Sequence, residues 1–496
     1  MSLVTGPGAI SPDSRRRTEA KLLVVAVLVG LSGLVLTVAG RDDAAWSQIT
    51  VQCVALVTMP LIAHLAIRFL APHANPLLLP AATALNGLGV AMLRRLDFAF
   101  AYYDPKDKPQ MGYGPTLHMV MGMVLMVLVL FLLKDSRRLE RAIPRFWKRG
   151  QDGMAAQPLP ITPAQLVGIL AVPLLLLPFV PGIGLSANGA RVWVNIAGFG
   201  FQPSELAKIL LAIFFAYYLK TRGANLAQAG RRKIGAVPLP FGWRVPKSRD
   251  LVPLLIVWAL ATAFLVAQND WGMSVMFFGM FVVTLCVSTG TFMWAFLASV
   301  LIIPMGWIGY LTTSQIASRF TAWIHAMDPQ YAGGPSYQLV QGLFALAWGG
   351  TFGTGWGQGD PDLIPEVQTD FILAAFGEEL GLTGTIVIIL LYATIVMVGL
   401  RTALGARDNF GKLLATGLSF SLALQVFVMV GALTRLLPLT GLTTPLLSNG
   451  GSSVLSTWII LAILLRLSDT VMQPGTEDNP ANRHAVILPT TRGVDA

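Results

Sequence analysis

The sequence predicts an all-α integral membrane protein that is polytopic. Of its 496 residues, 54% are hydrophobic and only 12% are charged, and the mean hydropathy is +0.65. Soluble domains typically carry about 25% charged residues. Apolar runs long enough to cross a bilayer as helices recur from one end of the chain to the other. A large soluble all-α protein is therefore a poor interpretation of this composition.

Apolar runs predict about twelve transmembrane helices. The predicted spans are residues 22–40, 49–70, 76–93, 115–134, 163–183, 203–220, 251–267, 271–289, 290–311, 371–400, 412–433 and 452–467. Lys and Arg are concentrated in alternate connections, which predicts that both termini are cytoplasmic (N-in and C-in). Residues 1–20 form a polar cytoplasmic tail, and the first span lacks a small-residue cleavage site, so we expect a retained helix. The polar residues 468–496 predict a disordered cytoplasmic tail.

The net charge of +10 does not indicate a protein that binds nucleic acid. Much of it lies in two loops, KDSRRLERAIPRFWKR and RRKIGAVPLPFGWRVPKSR, which the predicted topology places against the anionic lipid of the cytoplasmic leaflet. Neither loop contains a nucleic-acid motif. Cys53 and Cys286 lie in apolar spans and are too few for a disulfide framework or a metal site.

Three outer segments are long or unusual: residues 184–202, 312–370 and 434–451. The loop 312–370 is rich in aromatic residues and glycine, which favours a packed structure over disorder. Its run GGTFGTGWGQG could bind a phosphate through backbone N–H groups. The run lacks the Gly-Lys-Ser/Thr ending of a nucleotide P-loop, so we favour glycines that let the loop bend back against helices.

The stretch QPSELAKIL predicts a helix start with Glu205 and Lys208 on one face. One interpretation is a local ion pair. The other is that Lys208, with Arg191, supplies positive charge to a phosphate at the membrane surface, and the two are compatible. Asp270 in QNDWG sits in a short link between two spans, and a solvated turn is favoured there over catalysis.

The apolar run 371–400 is too long for one straight span. As a helix it would measure about 45 Å, against a hydrocarbon core of about 30 Å. We therefore expect the helix to project from the membrane, to tilt strongly, or to break near Gly377, Gly381 or Gly384.

Four carboxylates lie within or beside the outer start of this run, in IPEVQTDFILAAFGEELG. Asp370 could cap the helix and interact favourably with its dipole. Capping leaves Glu366, Glu378 and Glu379 without an explanation. Carboxylates are costly at the edge of an apolar span, so the cluster is a candidate acid–base centre.

Five stretches together resemble one known family. NGARVWVNIAGFGFQPSELAK, QNDWG, DPQYAGGPSYQLVQGLFAL, IPEVQTDFILAAFGEELG and LPLTGLTTPLLSNGGSS are similar in order and spacing to the SEDS proteins (shape, elongation, division and sporulation), which include the RodA, FtsW and SpoVE proteins. The resemblance covers about Leu77 to Leu467. It implies a ten-helix SEDS core at residues 76–467, with its large outer loop at 312–370, and two additional N-terminal helices at residues 21–75.

The resemblance implies a peptidoglycan glycosyltransferase of the bacterial cytoplasmic (inner) membrane. Such an enzyme polymerises lipid II on the outer face, releases undecaprenyl diphosphate, and works with a class B penicillin-binding protein, a transpeptidase. The family's essential aspartate corresponds to Asp370. Its other polar motifs correspond to Arg191, Gln202, Glu205, Lys208, Arg319, Gln338, Gln341, Glu366 and Glu379. The PLTGLTTPLL stretch is most like the elongation proteins of the RodA type, and division remains the alternative role.

The sequence departs from the family pattern at several positions. Asn269 replaces a usual proline, Trp271 a leucine, and Asn449 a frequent tyrosine. Gln368 replaces the histidine before the Thr-Asp-Phe motif, which weakens any mechanism that needs that histidine.

The predicted chemistry uses Asp370 as the base that takes a proton from an attacking sugar hydroxyl. Arg191, Lys208 or Arg435 could stabilise the leaving diphosphate. A divalent ion such as Mg²⁺ or Mn²⁺ could act in the same way, but no ligand spacing requires a metal or another cofactor. Two alternatives are a transporter that flips lipid II and a scaffold that only recruits proteins. No internal repeat supports the transporter, and the scaffold leaves Asp370 and Glu366 without a role.

Overall fold

The computed structural model describes residues 11–39, 44–103, 111–134, 163–187, 189–196, 198–228 and 248–473. These residues form a helical bundle with a small sheet at one end. In chain order, the helices are α1 (Pro12–Val38), α2 (Ala44–Leu70), α3 (Leu78–Tyr103), α4 (Gly114–Leu133), α5 (Pro163–Leu176), α6 (Pro203–Gln228), α7 (Ser248–Ala267), α8 (Trp271–Thr289), α9 (Met293–Thr312), α10 (Ser314–Ile324), α11 (Pro329–Ala332), α12 (Tyr337–Gly349), α13 (Ile372–Gly405), α14 (Asn409–Leu433) and α15 (Gly451–Met472).

Each of the twelve predicted apolar spans falls on a helix of this bundle. Within the described residues, seven helices are long and apolar enough to cross a membrane: α1, α2, α4, α8, α13, α14 and α15. Among the others, α3 and α6 carry several charges, and α5 is only 14 residues long and continues as a short 3₁₀ turn. The protein is therefore polytopic, while the count of twelve crossings stays a prediction. Of the predicted tails, residues 1–10 and 474–496 lie outside the described residues. Residues 12–20 and 468–472 are helical and belong to α1 and α15 rather than to polar tails.

The two N-terminal helices pack directly on the rest of the bundle. Gly30 of α1 faces Gly87 of α3 so closely that a Cβ on Gly30 would lie 3.1 Å from the Gly87 Cα. At the other end of α1, Arg15 donates a hydrogen bond to the His73 carbonyl over 2.9 Å. The His73 N–H in turn donates to Asp469 of α15 over 2.8 Å. The start of α1 and the end of α15 thus share one end of the bundle, as the prediction of two cytoplasmic termini requires.

The outer segment 184–202 contains strands, which the all-helical prediction omitted. Strands β1 (Gly184–Ala187), β2 (Ala190–Ile196) and β3 (Phe199–Phe201) form an antiparallel sheet in the order β1-β2-β3. The run ARVWVNI alternates in the way that β-strands do, since Val192 and Val194 are buried while the residues between them are more exposed. This alternating run is short and lies between long apolar runs, so the strands were not predicted.

The glycine-rich run 349–359 bends back against α13, and the prediction of a packed loop is confirmed. A Cβ on Gly349 would lie 1.9 Å from the Gly377 carbonyl oxygen, and one on Gly353 would lie 2.2 Å from that of Glu379. Only glycine permits this backbone contact. Opposite the loop, α13 departs from helical geometry at Gly381 (φ 67°, ψ −169°). Of the three predicted outcomes, a break therefore occurs, at Gly381 and within a helix about 51 Å long.

Candidate acid–base site

Asp370 lies one residue before the N-cap of α13 and is half-buried. Gln338 of α12 donates a hydrogen bond from Nε2 to Asp370 Oδ1 over 3.1 Å. The Thr369 hydroxyl donates to the same oxygen over 3.2 Å. Two neutral donors therefore orient one carboxylate oxygen without neutralising its charge.

Burial raises the pKa of Asp370 from 3.8 to about 6, because the charged form loses hydration. The nearby Glu366 carboxylate also raises this pKa, while the hydrogen bonds from Thr369 and Gln338 lower it. A carboxyl group with this pKa is largely ionised near neutral pH and still basic enough to accept a proton. Such a group suits general-base chemistry better than an exposed aspartate does.

Asp270 is a second desolvated carboxylate near the same end of the bundle. It caps α8 by accepting the Met273 N–H over 3.1 Å, and it also accepts from Gln202 Nε2 over 3.1 Å. Burial raises its pKa from 3.8 to about 6. Asp270 caps a helix as the interpretation of a turn residue expected, but it is not solvated, because Gln202 and Ser204 at the start of α6 contact its carboxylate. Only this long-range contact distinguishes it from an ordinary cap.

Arg319 of α10 connects the two carboxylates electrostatically. Its pKa is lowered by burial and raised by the charges of both Asp370 and Asp270. The half-buried guanidinium donates to the Thr440 carbonyl over 3.0 Å. Arg319 is thus fixed to the 434–450 segment by a hydrogen bond, and its positive charge interacts favourably with both carboxylates.

An apolar cavity of about 360 Å³ adjoins Arg319. Its walls come from α7, α8 and α10 together with the 437–440 segment, and include Trp258, Trp271 and Phe320. The buried Thr262 hydroxyl and the Trp271 indole N–H in this lining have no protein partner among the described residues. The cavity can therefore accept a mainly apolar group with a polar part near Arg319.

Lys208 forms a buried ion pair with Glu205, which was one of the two predicted roles. Its Nζ lies 2.8 Å from Glu205 Oε2 and 3.3 Å from Gln425 Oε1. The Ser456 hydroxyl donates to the same Glu205 oxygen over 2.6 Å. Lys208 and Glu205 are 1% and 2% exposed. A direct contact between Lys208 and a diphosphate does not agree with this geometry, because the ammonium group is buried and already paired.

The other predicted cations lie nearer the surface. Arg191 lies on β2, and its backbone N–H donates to the carbonyl of Gln268 over 3.0 Å. Gln268 is two residues before Asp270. Arg435 is exposed, and its guanidinium donates to the carbonyls of Trp323 and Ile324 at the end of α10. Arg191 is therefore placed near the acid–base site, whereas Arg435 mainly stabilises the end of α10.

Glu366 and Gln341 flank Asp370 without touching it directly. Glu366 is exposed, has a positive φ of 53°, and accepts a hydrogen bond from Gln368 over 3.2 Å. Gln368 stands where the family has histidine, and this amide is directed at Glu366. Gln341 lies three residues after Gln338 on α12 and lines a separate cavity.

Glu378 and Glu379 hold the glycine-rich loop. Glu379 pairs with Arg95 of α3 at 2.6 Å and accepts the Gly357 N–H over 3.0 Å. Glu378 accepts the Asp360 N–H over 2.8 Å. The predicted cluster of four carboxylates therefore divides into two groups, and Glu379 belongs to the structural one. Arg95 was not among the predicted site residues, because nothing in the local sequence links α3 to residues nearly 300 positions away.

Within the residues that the structure describes, no group of three or more His, Cys, Asp or Glu side chains is arranged to hold a metal ion. Cys53 is partly buried and Cys286 is buried, and both are free. The prediction that Mg²⁺ or Mn²⁺ could assist stays a prediction.

The fold and this site define a class: polytopic helical membrane proteins with a desolvated carboxylate centre at one end of the bundle. The chain is 38% identical to the peptidoglycan glycosyltransferase RodA of Mycobacterium tuberculosis (strain ATCC 25618 / H37Rv), across 99% of this chain and 98% of that protein. It is 36% identical to the protein of the same name from Mycobacterium leprae, across 97% and 96%. The model of the FtsW, RodA and SpoVE family, described as cell cycle protein, matches residues 158–473. The chain belongs to this family.

Two further comparisons agree. Stage V sporulation protein E of Bacillus subtilis is 32% identical across 62% of this chain and 78% of that protein. A solved structure described as "Structural coordination of polymerization and crosslinking by a peptidoglycan synthase complex" matches with a TM-score of 0.54 and 22% identity, across 79% of this chain and 98% of that one. At this identity the likeness supports the fold alone.

Proposed function

We propose that this protein is a peptidoglycan glycosyltransferase of the bacterial cytoplasmic membrane, with Asp370 as its general base. The observation that carries the assignment of the base is the desolvated Asp370 carboxylate, oriented by Gln338 and electrostatically coupled to Arg319. The relatives named RodA, which align with almost the whole chain, support the enzyme class. Their names also favour a role in cell elongation over division.

The proposed reaction joins two lipid II molecules. A sugar hydroxyl of the acceptor attacks the anomeric carbon of the donor, and a new glycosidic C–O bond forms. The bond between that carbon and the diphosphate oxygen breaks, and undecaprenyl diphosphate leaves with the bonding electrons. Asp370 takes the hydroxyl proton. Its pKa of about 6 allows it to be ionised before attack, and general-base assistance is typically worth about 10²–10⁴-fold in rate.

Arg319 and Arg191 are the cations that we assign to the departing diphosphate. Arg319 is half-buried and interacts with the charges of both carboxylates, and a lower dielectric there strengthens its interaction with an anion. The apolar cavity beside Arg319 suits the prenyl chain of one substrate, because it joins an apolar volume to a cation. Lys208 acts indirectly by fixing Glu205 and Gln425 between α6, α14 and α15.

The proposal extends to orientation and partner. We expect twelve crossings, both termini in the cytoplasm and the 312–370 loop outside. The solved complex with a similar fold is a peptidoglycan synthase that coordinates polymerisation and crosslinking. By analogy, a class B penicillin-binding protein is the proposed partner of this chain.

Purified protein incubated with labelled lipid II tests the function. Glycan formation by the wild-type protein, and its near-complete loss in a folded Asp370→Asn variant, is the expected result. Movement of lipid II across vesicles without glycan formation would support the transporter alternative instead. Absence of both activities in a folded protein, with and without the transpeptidase, would support a scaffold.

A further inference from the structure

A second cavity of about 400 Å³ lies between α12 and the glycine-rich loop. One wall is a single face of α12, where Gln341, Phe344 and Trp348 recur at helical spacing. The opposite wall is formed by the segment 354–364, and the carboxylate side chain of Glu378 lines the space between them. The proposed chemistry does not use this cavity.

The cavity begins close to the acid–base site. Gln338 of α12 donates a hydrogen bond to Asp370 over 3.1 Å. Gln341, which lines the cavity, lies three residues further along the same helix. With a rise of 1.5 Å per residue, the two positions are about 4.5 Å apart along the axis. Ile364 on the opposite wall lies six residues before Asp370. A glycan strand that extends from Asp370 along α12 would therefore enter this cavity.

The chemistry of the lining favours neutral sugars. Trp348 and Phe344 are 78% and 49% exposed, and such rings can stack on the apolar face of a pyranose. Glu378, Asp360 and Gln358 offer acceptors and donors for hydroxyl and amide groups. The lining contains two carboxylates and no Lys or Arg, so a diphosphate would be repelled. A prenyl chain would leave these polar groups without partners, at a cost in free energy.

The wall opposite α12 is held in place before any ligand arrives. Asp360 donates its N–H to Glu378, and Gly357 donates to Glu379, which pairs with Arg95. Arg95 also donates to the Gly359 carbonyl. The Trp356 indole N–H, on the same loop, donates to the Thr37 hydroxyl of α1 over 2.9 Å. A preorganised wall lowers the ordering cost of binding.

We propose that this cavity is a glycan subsite that holds a sugar unit of the growing strand beside the reacting one. The proposal rests on the glycosyltransferase function. It gives Trp348 and Gln358 a role in retaining the polymer between rounds of addition, separate from the bond-forming step at Asp370.

The test uses full-length protein and a soluble, lipid-free, uncrosslinked peptidoglycan tetrasaccharide. Trp348→Ala and Gln358→Ala should each weaken its binding, and loss of the Trp348 ring should cost about 3- to 10-fold in Kd. The glycan products made from lipid II should become shorter, while the rate of the first coupling stays near that of the wild type. Phe352→Ala is the matched control. Phe352 is an aromatic residue of the glycine-rich loop and is 82% exposed, but it does not line the cavity.

Binding is also measured with the Asp370→Asn variant, which keeps the cavity. The tetrasaccharide should bind this variant as tightly as the wild type even though no glycan is made. The subsite would be rejected if Trp348→Ala and Gln358→Ala, like Phe352→Ala, bound the tetrasaccharide and made glycan of the same length as the wild type. The enzyme function would not be affected by that result. Trp348-dependent binding of undecaprenyl phosphate vesicles, without tetrasaccharide binding, would identify a lipid chain as the occupant and also overturn the proposal. Failure of the wild-type protein to make any glycan would instead reject the function on which the subsite rests.

Discussion

Gln338 donates a hydrogen bond to Asp370 over 3.1 Å and so connects two positions 32 residues apart in the chain. The bond joins α12 to the segment that starts α13. A carboxamide can orient a carboxylate without adding charge, so Asp370 keeps a raised pKa despite having a partner. The outer loop therefore contributes a residue to the acid–base site.

Asp370→Asn should abolish polymerisation without unfolding the protein. Asn keeps the size of the side chain but cannot accept the proton, so we expect a loss of about 10²–10⁴-fold, typical of a general base. Glycan formation from labelled lipid II measures the loss, and thermal unfolding in detergent measures the fold. Near-normal polymerisation would reject Asp370 as the base, and Glu366→Gln would then be the next variant to assay.

The rate of polymerisation should fall as the pH drops below about 6. Both Asp370 and Asp270 have pKa values raised to about 6, and a protonated base is inactive. The pKa of Asp370 in the folded state lies above the usual 3.8. The free energy of unfolding therefore falls as the pH rises from about 4 to about 6 and Asp370 loses its proton. Asp370→Asn should therefore be at least as stable as the wild type at pH 7. A rate that is flat between pH 5 and 7 would argue against Asp370 as the general base.

The Glu205–Lys208 pair should behave as a structural unit. Removing one partner of a buried ion pair typically costs about 3–5 kcal/mol, whereas replacing both with neutral groups costs much less. Thus Lys208→Met and Glu205→Gln should each lower the unfolding temperature, and the double variant should recover part of the loss. Stable single variants with specifically weakened lipid II binding would instead return Lys208 to the substrate site.

The N-terminal helix α1 should support the glycine-rich loop through Thr37 and Trp356. Trp356→Phe and Thr37→Val each remove the same hydrogen bond, worth about 1 kcal/mol, and the two effects should not add. Thermal unfolding of the two single variants and the double variant measures this coupling. Thr50→Val is the control, since among the described residues the Thr50 hydroxyl bonds within α2, to the Trp46 carbonyl. Fully additive losses would indicate that the contact does not join α1 to the loop.

Single cysteines should report the orientation. In a Cys53→Ala, Cys286→Ala background, Thr351→Cys in the outer loop should react with an impermeant reagent applied to intact cells. Asn409→Cys, in the turn before α14, should react only after the membrane is opened. Both Thr351 and Asn409 are exposed. The reverse pattern would invert the predicted topology.

The sequence alone determined that this is a polytopic helical membrane protein, and its motifs identified the family. The length of apolar runs and the scarcity of charge are properties of the local sequence, so they can be recognised without coordinates. A break in the long helix was one of three predicted outcomes, because 371–400 exceeds the membrane thickness and contains glycines. Asp370 was found through its motif and its position at the outer start of that helix.

Only the tertiary structure decided which polar residues act together. From the sequence, Asp270 resembles a solvated turn residue, but in the structure Gln202 donates a hydrogen bond to it. Glu379 lies close to Asp370 in the sequence, but in the structure it pairs with Arg95. Lys208 could have faced substrate or Glu205, and burial selected Glu205. The physical reason is the same in each case: desolvation and pairing depend on neighbours that lie far away in the chain. The pattern along the sequence places a charge on an element, and packing determines whether that charge binds a ligand or another residue.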